Sequence, residues 1–246
     1  MKSITELYLI GKGPSSSHTM GPEKAAKLFR SEHPEADRFE VRLYGSLALT
    51  GQGHGTDRIL RETLGEGMTD IELIPSAPFP LEHPNTMDLY AYRAGEQTGF
   101  MRVRSVGGGA IEIDGRPTPK SEDYYPHNTF SDIAAYCEKN RLTLPQYAEK
   151  FERPGWREHL TEVLSVMRQA VARGIATEGV LPGELGVRRK AALLYRTPLP
   201  NEFPESREIR LRSAYAYAVS EENAAGGVIS TAPTCGACGV VPAVLL

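Results

Sequence analysis

Between residues 38 and 114, apolar side chains recur at every second position. RFEVRLYG (38–45) turns Phe39, Val41 and Leu43 to one side, and DIELI (70–74) does the same with Ile71 and Leu73. TMDLYAY (86–92), FMRVRSV (100–106) and AIEID (110–114) keep that period. A two-residue period is that of a strand with one buried face. AAKLF (25–29) and TDRILRETL (56–64) interrupt it with helical spacing, and Thr56 and Asp57 stand where an N-cap is expected. Residues 1 to about 120 therefore predict an α+β domain with helices over one sheet face. SVGGG, Ser105 to Gly109, follows a strand and predicts a turn or bulge rather than a phosphate loop.

Beyond Pro119 the alternation stops, and KSEDYYPHNTF (120–130) has the polar, proline-bearing character of a linker. Helices are then expected over Ser131–Lys139, Pro154–Arg173 and Arg207–Glu222. The middle one places Leu160, Val163, Leu164, Met167, Ala170 and Val171 on one stripe, with Pro154 in its first turn and Gly174 as its stop. This half predicts as all-helical. Its last stretch, TAPTCGACGVVPAVLL (231–246), is apolar and glycine-punctuated, and is expected to run into a further core element.

Composition narrows the function classes. The chain has 246 residues, 40% hydrophobic and 24% charged, and a net charge of −3, which is ordinary for a soluble globular protein. No basic run points to nucleic acid. The only apolar run near the start is LYLI, far short of a membrane span or secretory segment, so a cytoplasmic location is expected. Three cysteines do not make an extracellular disulfide framework.

Two segments carry candidate chemistry. GPSSSHTMGP (13–22) sets Ser15, Ser16, Ser17, His18 and Thr19 before a helix start, where hydroxyls and backbone N–H groups favour an anion and the imidazole can carry a proton near neutral pH. GQGHGTD (51–57) places His54 among glycines beside Thr56 and Asp57. His33, His83, His127 and His159 lie next to prolines or on a charged helix and are expected at solvated positions. Cys235 and Cys238 have a CxxC spacing that serves zinc, iron–sulfur clusters and thiol exchange alike. A 4Fe–4S cluster takes three or four thiolates, and Cys137, the remaining cysteine, is expected in a core. Lys120, Lys139 and Lys190 have no Schiff-base setting, which argues against a pyridoxal phosphate enzyme.

GKGPSSSHTMGP, LYGSLALTGQGHGTDRIL, TEGVLPGELGVRRKAALLY and TAPTCGACGVVPAVL together resemble the iron–sulfur-dependent L-serine dehydratases of bacteria in their single-chain form. The resemblance runs in order from about residue 3 to 246. It implies an α+β chain: an N-terminal α/β sandwich-like, substrate-binding-type domain over 1–125, then the start of an all-helical catalytic domain over 126–246. It implies deamination of L-serine to pyruvate and ammonia with a 4Fe–4S cluster, in a homodimer. It makes His18 and His54 the catalytic histidines, with the α-proton base left open between them. Ser15, Ser16, Ser17, Thr19, Thr56 and Asp57 would meet the substrate, and Asp57 equally suits orienting His54 or capping a helix. In the resembled family the cluster cysteines follow the block ending here at Leu246, so this chain is expected to lack them and to be inactive alone. Cys235 and Cys238 are then weak candidates, and their glycine-rich turn is expected to shape the substrate pocket. The alternative is a non-catalytic amino-acid-binding or regulatory subunit.

Overall fold

The residues that alternate in sequence line one face of a five-stranded sheet. The computed structural model describes residues 1–117, 123–197 and 200–246; Pro119, Lys120 and the first part of the expected linker lie outside them. After the short strand β1 (Ile10–Lys12) and helix α1 (Gly21–Glu32), β2 (Arg38–Tyr44) enters the sheet. Helices α2 (Gly45–Thr50) and α3 (Thr56–Leu64) follow, then β3 (Thr69–Ile74), β4 (Thr86–Arg93), β5 (Glu96–Gly107) and β6 (Ala110–Ile113). The sheet order is β3-β2-β4-β5-β6, parallel between β2 and β3 and antiparallel elsewhere. Phe39, Val41, Leu43, Met87, Leu89, Ala91, Met101 and Val103 pack against Phe29 of α1, Leu47 of α2 and Leu60 and Leu64 of α3. Burial on this one face is what the two-residue period encodes. The glycines of SVGGG close the β5–β6 hairpin, and Gly107, Gly108 and Gly109 all have positive φ.

The opposite face is polar and partly roofed by the loop at 75–85. Asp88 is buried there, receiving Arg102 Nε and Nη2 at 2.7 and 2.8 Å and the Tyr44 hydroxyl at 3.0 Å. Phe79 lies over the Arg102 guanidinium, 4.0 Å from ring centroid to Cζ, and packs edge-on against Tyr44. The loop then returns, and the Ser46 N–H donates to the Pro84 carbonyl at 2.8 Å.

The second half comprises α4 (Phe130–Asn140), α5 (Leu144–Phe151), α6 (Trp156–Ala176), α7 (Ala191–Arg196), α8 (Pro204–Ala224) and α9 (Val240–Leu245). It is not purely helical. β7 (Val228–Ser230) pairs antiparallel with β1, Gly11 opposite Ile229. Three residues are too few for an alternation to register in sequence. The long helix α6 also differs from expectation at both ends. Gly155, at φ 85°, stands at its N-cap, so Pro154 lies outside its first turn, and the helix runs through Gly174. Gly174 serves the crossing with α8, where a methyl group would strike the Ala218 backbone. The N-terminal residues pack on this half too: Ser3 Oγ and the Ile4 N–H donate to Glu152 at 2.6 and 2.8 Å.

His33, His83, His127 and His159 are half-buried rather than solvated, because each has a local partner. His33 packs on Phe29, and His83 Nδ1 accepts from the Asn85 N–H at 3.1 Å. His127 Nδ1 meets the Tyr147 hydroxyl at 2.8 Å, and His159 Nε2 donates to the Tyr8 carbonyl at 2.9 Å.

Alanine normally stabilises a helix interior relative to glycine by about 1 kcal/mol. At Gly174 the sign should reverse: Gly174→Ala is expected to lose about 1–3 kcal/mol through overpacking against α8, read by urea unfolding. An unchanged or raised midpoint would refute the close crossing.

Candidate active site

The two histidine segments meet at the junction of the halves. Residues Ser16–Met20 form one wide helical turn, capped by Ser15, whose Oγ accepts the His18 N–H at 3.1 Å. The other segment is a short turn over Gln52–His54 that Gly55 reverses, at φ 64°, into α3. Gly55 therefore occupies the N-cap of α3, and neither Thr56 nor Asp57 caps it. Thr56 is freed for another task. Its hydroxyl donates to the His18 carbonyl at 2.5 Å, while the Thr19 hydroxyl donates to the His54 carbonyl at 3.0 Å. Each segment thus holds the other's histidine by its backbone, and both threonines are buried.

The result is a pair of imidazoles with ring centroids 4.7 Å apart, tilted by 32°. His18 Nδ1 lies 3.0 Å from Ser17 Oγ and 3.5 Å from Ser15 Oγ, and His18 Nε2 lies 3.0 Å from Ser46 Oγ. His54 Nδ1 lies 2.8 Å from the Thr50 carbonyl. A carbonyl only accepts, so neutral His54 carries its proton on Nδ1 and its lone pair on Nε2. Among the described residues Nε2 has no hydrogen-bond partner. Burial, and secondarily the neighbouring His54, hold the His18 pKa below the ordinary histidine value, so His18 is neutral at pH 7.

Beside His54 opens a cleft of about 200 Å³. Its wall includes Pro14, His54, Asp57, Arg58, Gly183 and Ala224. Asp57 shares this wall but does not orient His54, whose Nδ1 is taken by Thr50. Ser16, half-buried, makes no side-chain hydrogen bond among the described residues. Ser46 and Thr50 went unnoticed in sequence. Ser46 follows a strand-end glycine inside the same block as His54, and that position was the available signal.

The cysteines do not converge. Cys137 is buried with Tyr125, Ile133 and Tyr147, whereas Cys235 and Cys238 sit in a separate core with Met20, Ala170, Val171, Val219 and Ile229. Burial pushes the Cys235 and Cys238 thiols up to about 11 and about 12. A cluster ligand must be a thiolate, so these are poor ligands. Among the described residues no group of three or more His, Cys, Asp or Glu can hold a metal ion. They therefore do not fit a 4Fe–4S cluster. Nor is any described helix long and apolar enough to cross a membrane.

Comparison with known proteins places the chain in a family. The chain matches the family model described as serine dehydratase beta chain over residues 3–73 and that described as serine dehydratase alpha chain over 58–246. It is 35% identical to L-serine dehydratase 2 of Escherichia coli, aligning over 100% of this chain and 65% of that protein. It is 34% identical to an L-serine dehydratase of Haemophilus influenzae, over 100% of this chain and 66% of the relative. The corresponding protein of Streptomyces coelicolor is 34% identical, over 99% and 65%. The chain thus spans just under two thirds of the length of these relatives.

The histidine pair makes a prediction about titration. In a histidine-selective NMR titration, His18 is expected to titrate below the ordinary histidine range, and His54→Gln should raise its midpoint by removing a neighbouring positive charge. A midpoint that does not move would refute that coupling.

Proposed function

The chain belongs to the serine dehydratase family, and from that premise we propose that it is an L-serine ammonia-lyase sequence whose His18–His54 pair handles the proton of the reaction. The net change is loss of water from L-serine to aminoacrylate, then tautomerisation and hydrolysis to pyruvate and ammonia. The first stage needs a base for the α hydrogen and a route for a proton to the departing hydroxide.

The observation that carries this reading is the unequal bonding of the two imidazoles. His54 presents a bare Nε2, fixed by the Nδ1–H bond to Thr50. It is the base in this proposal: Nε2 takes the α proton as the C–H pair moves into the forming double bond. That proton leaves on the hydroxide as water, which restores neutral His54. His18 has hydroxyls at both ring nitrogens and is held neutral, so it orients the substrate hydroxyl through Ser17 and Ser46. Keeping His18 neutral also avoids two positive charges 4.7 Å apart when His54 is protonated.

The remaining residues divide by exposure. Thr19 and Thr56 position the histidines, since their hydroxyls are committed to backbone carbonyls. Ser15 and Ser17 support the His18 ring, and half-buried Ser16 is left to meet the substrate carboxylate. Asp57, on the cleft wall, suits the substrate ammonium. Family resemblance assigns help for the leaving hydroxyl to a 4Fe–4S cluster, for which the described residues supply no ligand set. The chain's own residues account for substrate binding and proton movement.

In the holoenzyme, His54→Ala is expected to lower kcat for pyruvate release from L-serine by about 100- to 10,000-fold, the range for loss of a positioned base. His18→Ala should also lower kcat. Near-normal turnover by His54→Ala would transfer the base role elsewhere, and a wild type that releases no pyruvate from L-serine would overturn the functional reading itself.

A further inference from the structure

Resting on that reading, we propose that Asn223 is a positioning residue for the His18 turn, transmitting the frame of the helical half to the proton-transfer pair. Asn223 lies in the last turn of α8 and is only 8% exposed. Its Nδ2 donates to the Pro14 carbonyl at 3.3 Å. Pro14 immediately precedes Ser15, whose hydroxyl caps the turn and accepts the His18 N–H. Displacing Pro14 therefore displaces the cap, and with it the imidazole.

Three further observations show that this contact is built rather than incidental. Gly13 faces the asparagine so closely that a methyl group there would strike Asn223 Oδ1 and its backbone carbonyl. The Gly13 N–H donates to the Gly227 carbonyl at 3.1 Å, pinning the same point from the turn after α8. Among the described residues, Asn223 Oδ1 is buried without a partner. An orphaned amide oxygen is destabilising, and an apolar side chain of similar size would avoid that cost. Such a side chain would lose the donor to Pro14. The reverse amide orientation is excluded, because it would set Oδ1 against another acceptor.

The platform behind Asn223 is rigid. Glu222 is held between Arg173 of α6 at 3.0 Å and Arg189 at 3.1 Å. Glu221 Oε1 accepts the N–H groups of Lys190 and Ala191, at 2.5 and 3.3 Å, where α7 begins. The end of α8 is thus tied to α6 and α7 by the two residues preceding Asn223. Asn223 itself touches neither histidine and acts only through Pro14 and Ser15.

The test compares wild-type holoenzyme with Asn223→Asp, which keeps the shape and removes the donor, and with Gly13→Ala, which presses on the contact from the other side. Misplacement of a reacting group by about 1 Å can cost about 100-fold, so kcat is expected to fall about 10- to 100-fold with KM changed by less than about threefold. In protein labelled with 15N-histidine, the His18 ring shifts should move while those of His159 stay in place. Wild-type kcat with unmoved His18 shifts would overturn the proposal, as would a lowered Tm with kcat and shifts intact. Gly13→Ala decides by the same readouts should Asn223→Asp fail to fold. If the wild type releases no pyruvate from L-serine, the functional reading falls separately, and the His18 shifts alone decide the role of Asn223.

Discussion

Everything at the candidate site depends on how the chain is held where it passes between its two cores. The β1–β7 pairing fixes residues 10–12 against the helical half, and Met20 buries its side chain in that half's core. One residue later α1 begins, and its Ala25, Ala26 and Phe29 belong to the sheet core. The Ser15–Met20 turn is therefore anchored at both ends, with little freedom left to lose on binding. Ordering a backbone residue costs about 1–2 kcal/mol, and here folding has already met that cost for the residues around His18.

The electrostatics of the pair follow from this confinement. Two imidazoles at 4.7 Å cannot both be charged cheaply, and burial disfavours the charged form of His18. Its hydroxyl partners suit a neutral ring, since serine can donate to one nitrogen and accept from the other. The support extends to the far face of the sheet. The bidentate Asp88–Arg102 pair holds Phe79 in place, the loop bearing Phe79 returns through Pro84, and the Pro84 carbonyl fixes the Ser46 backbone. Such a charge-assisted pair is directional and short, which suits a fixed strut better than apolar contact does.

Much of the sheet was legible because one buried face imposes a period: the strands containing Phe39, Val41 and Leu43, or Met87 and Leu89, announce themselves. α3 was legible in extent but not in its cap, because tertiary contact drew the Thr56 hydroxyl to the His18 carbonyl and left Gly55 to make the turn. Gly174 read as a helix stop from local propensity, whereas a crossing helix dictates it. β7 left no trace, since three residues have no period. At the site, the Gly/Ser settings of His18 and His54 were visible, but the pairing of their rings was not. That depends on reciprocal bonds between segments about 35 positions apart, which no local pattern encodes.

The cysteines and histidines show why spacing must be weighed with environment. A CxxC pair and a Gly-rich histidine turn are both short motifs of recognised chemical use. Around Cys235 and Cys238 the chain supplies apolar neighbours, so desolvation favours the neutral thiol and removes the thiolate that ligation or exchange requires. Around His18 and His54 it supplies hydroxyls, carbonyls and an adjoining cleft, so a proton can be held, oriented and released. Both motifs lie in the same molecule, in the one case sealed inside a core and in the other at a junction between cores. That difference in placement, rather than the motifs themselves, decides which of them is equipped for proton chemistry.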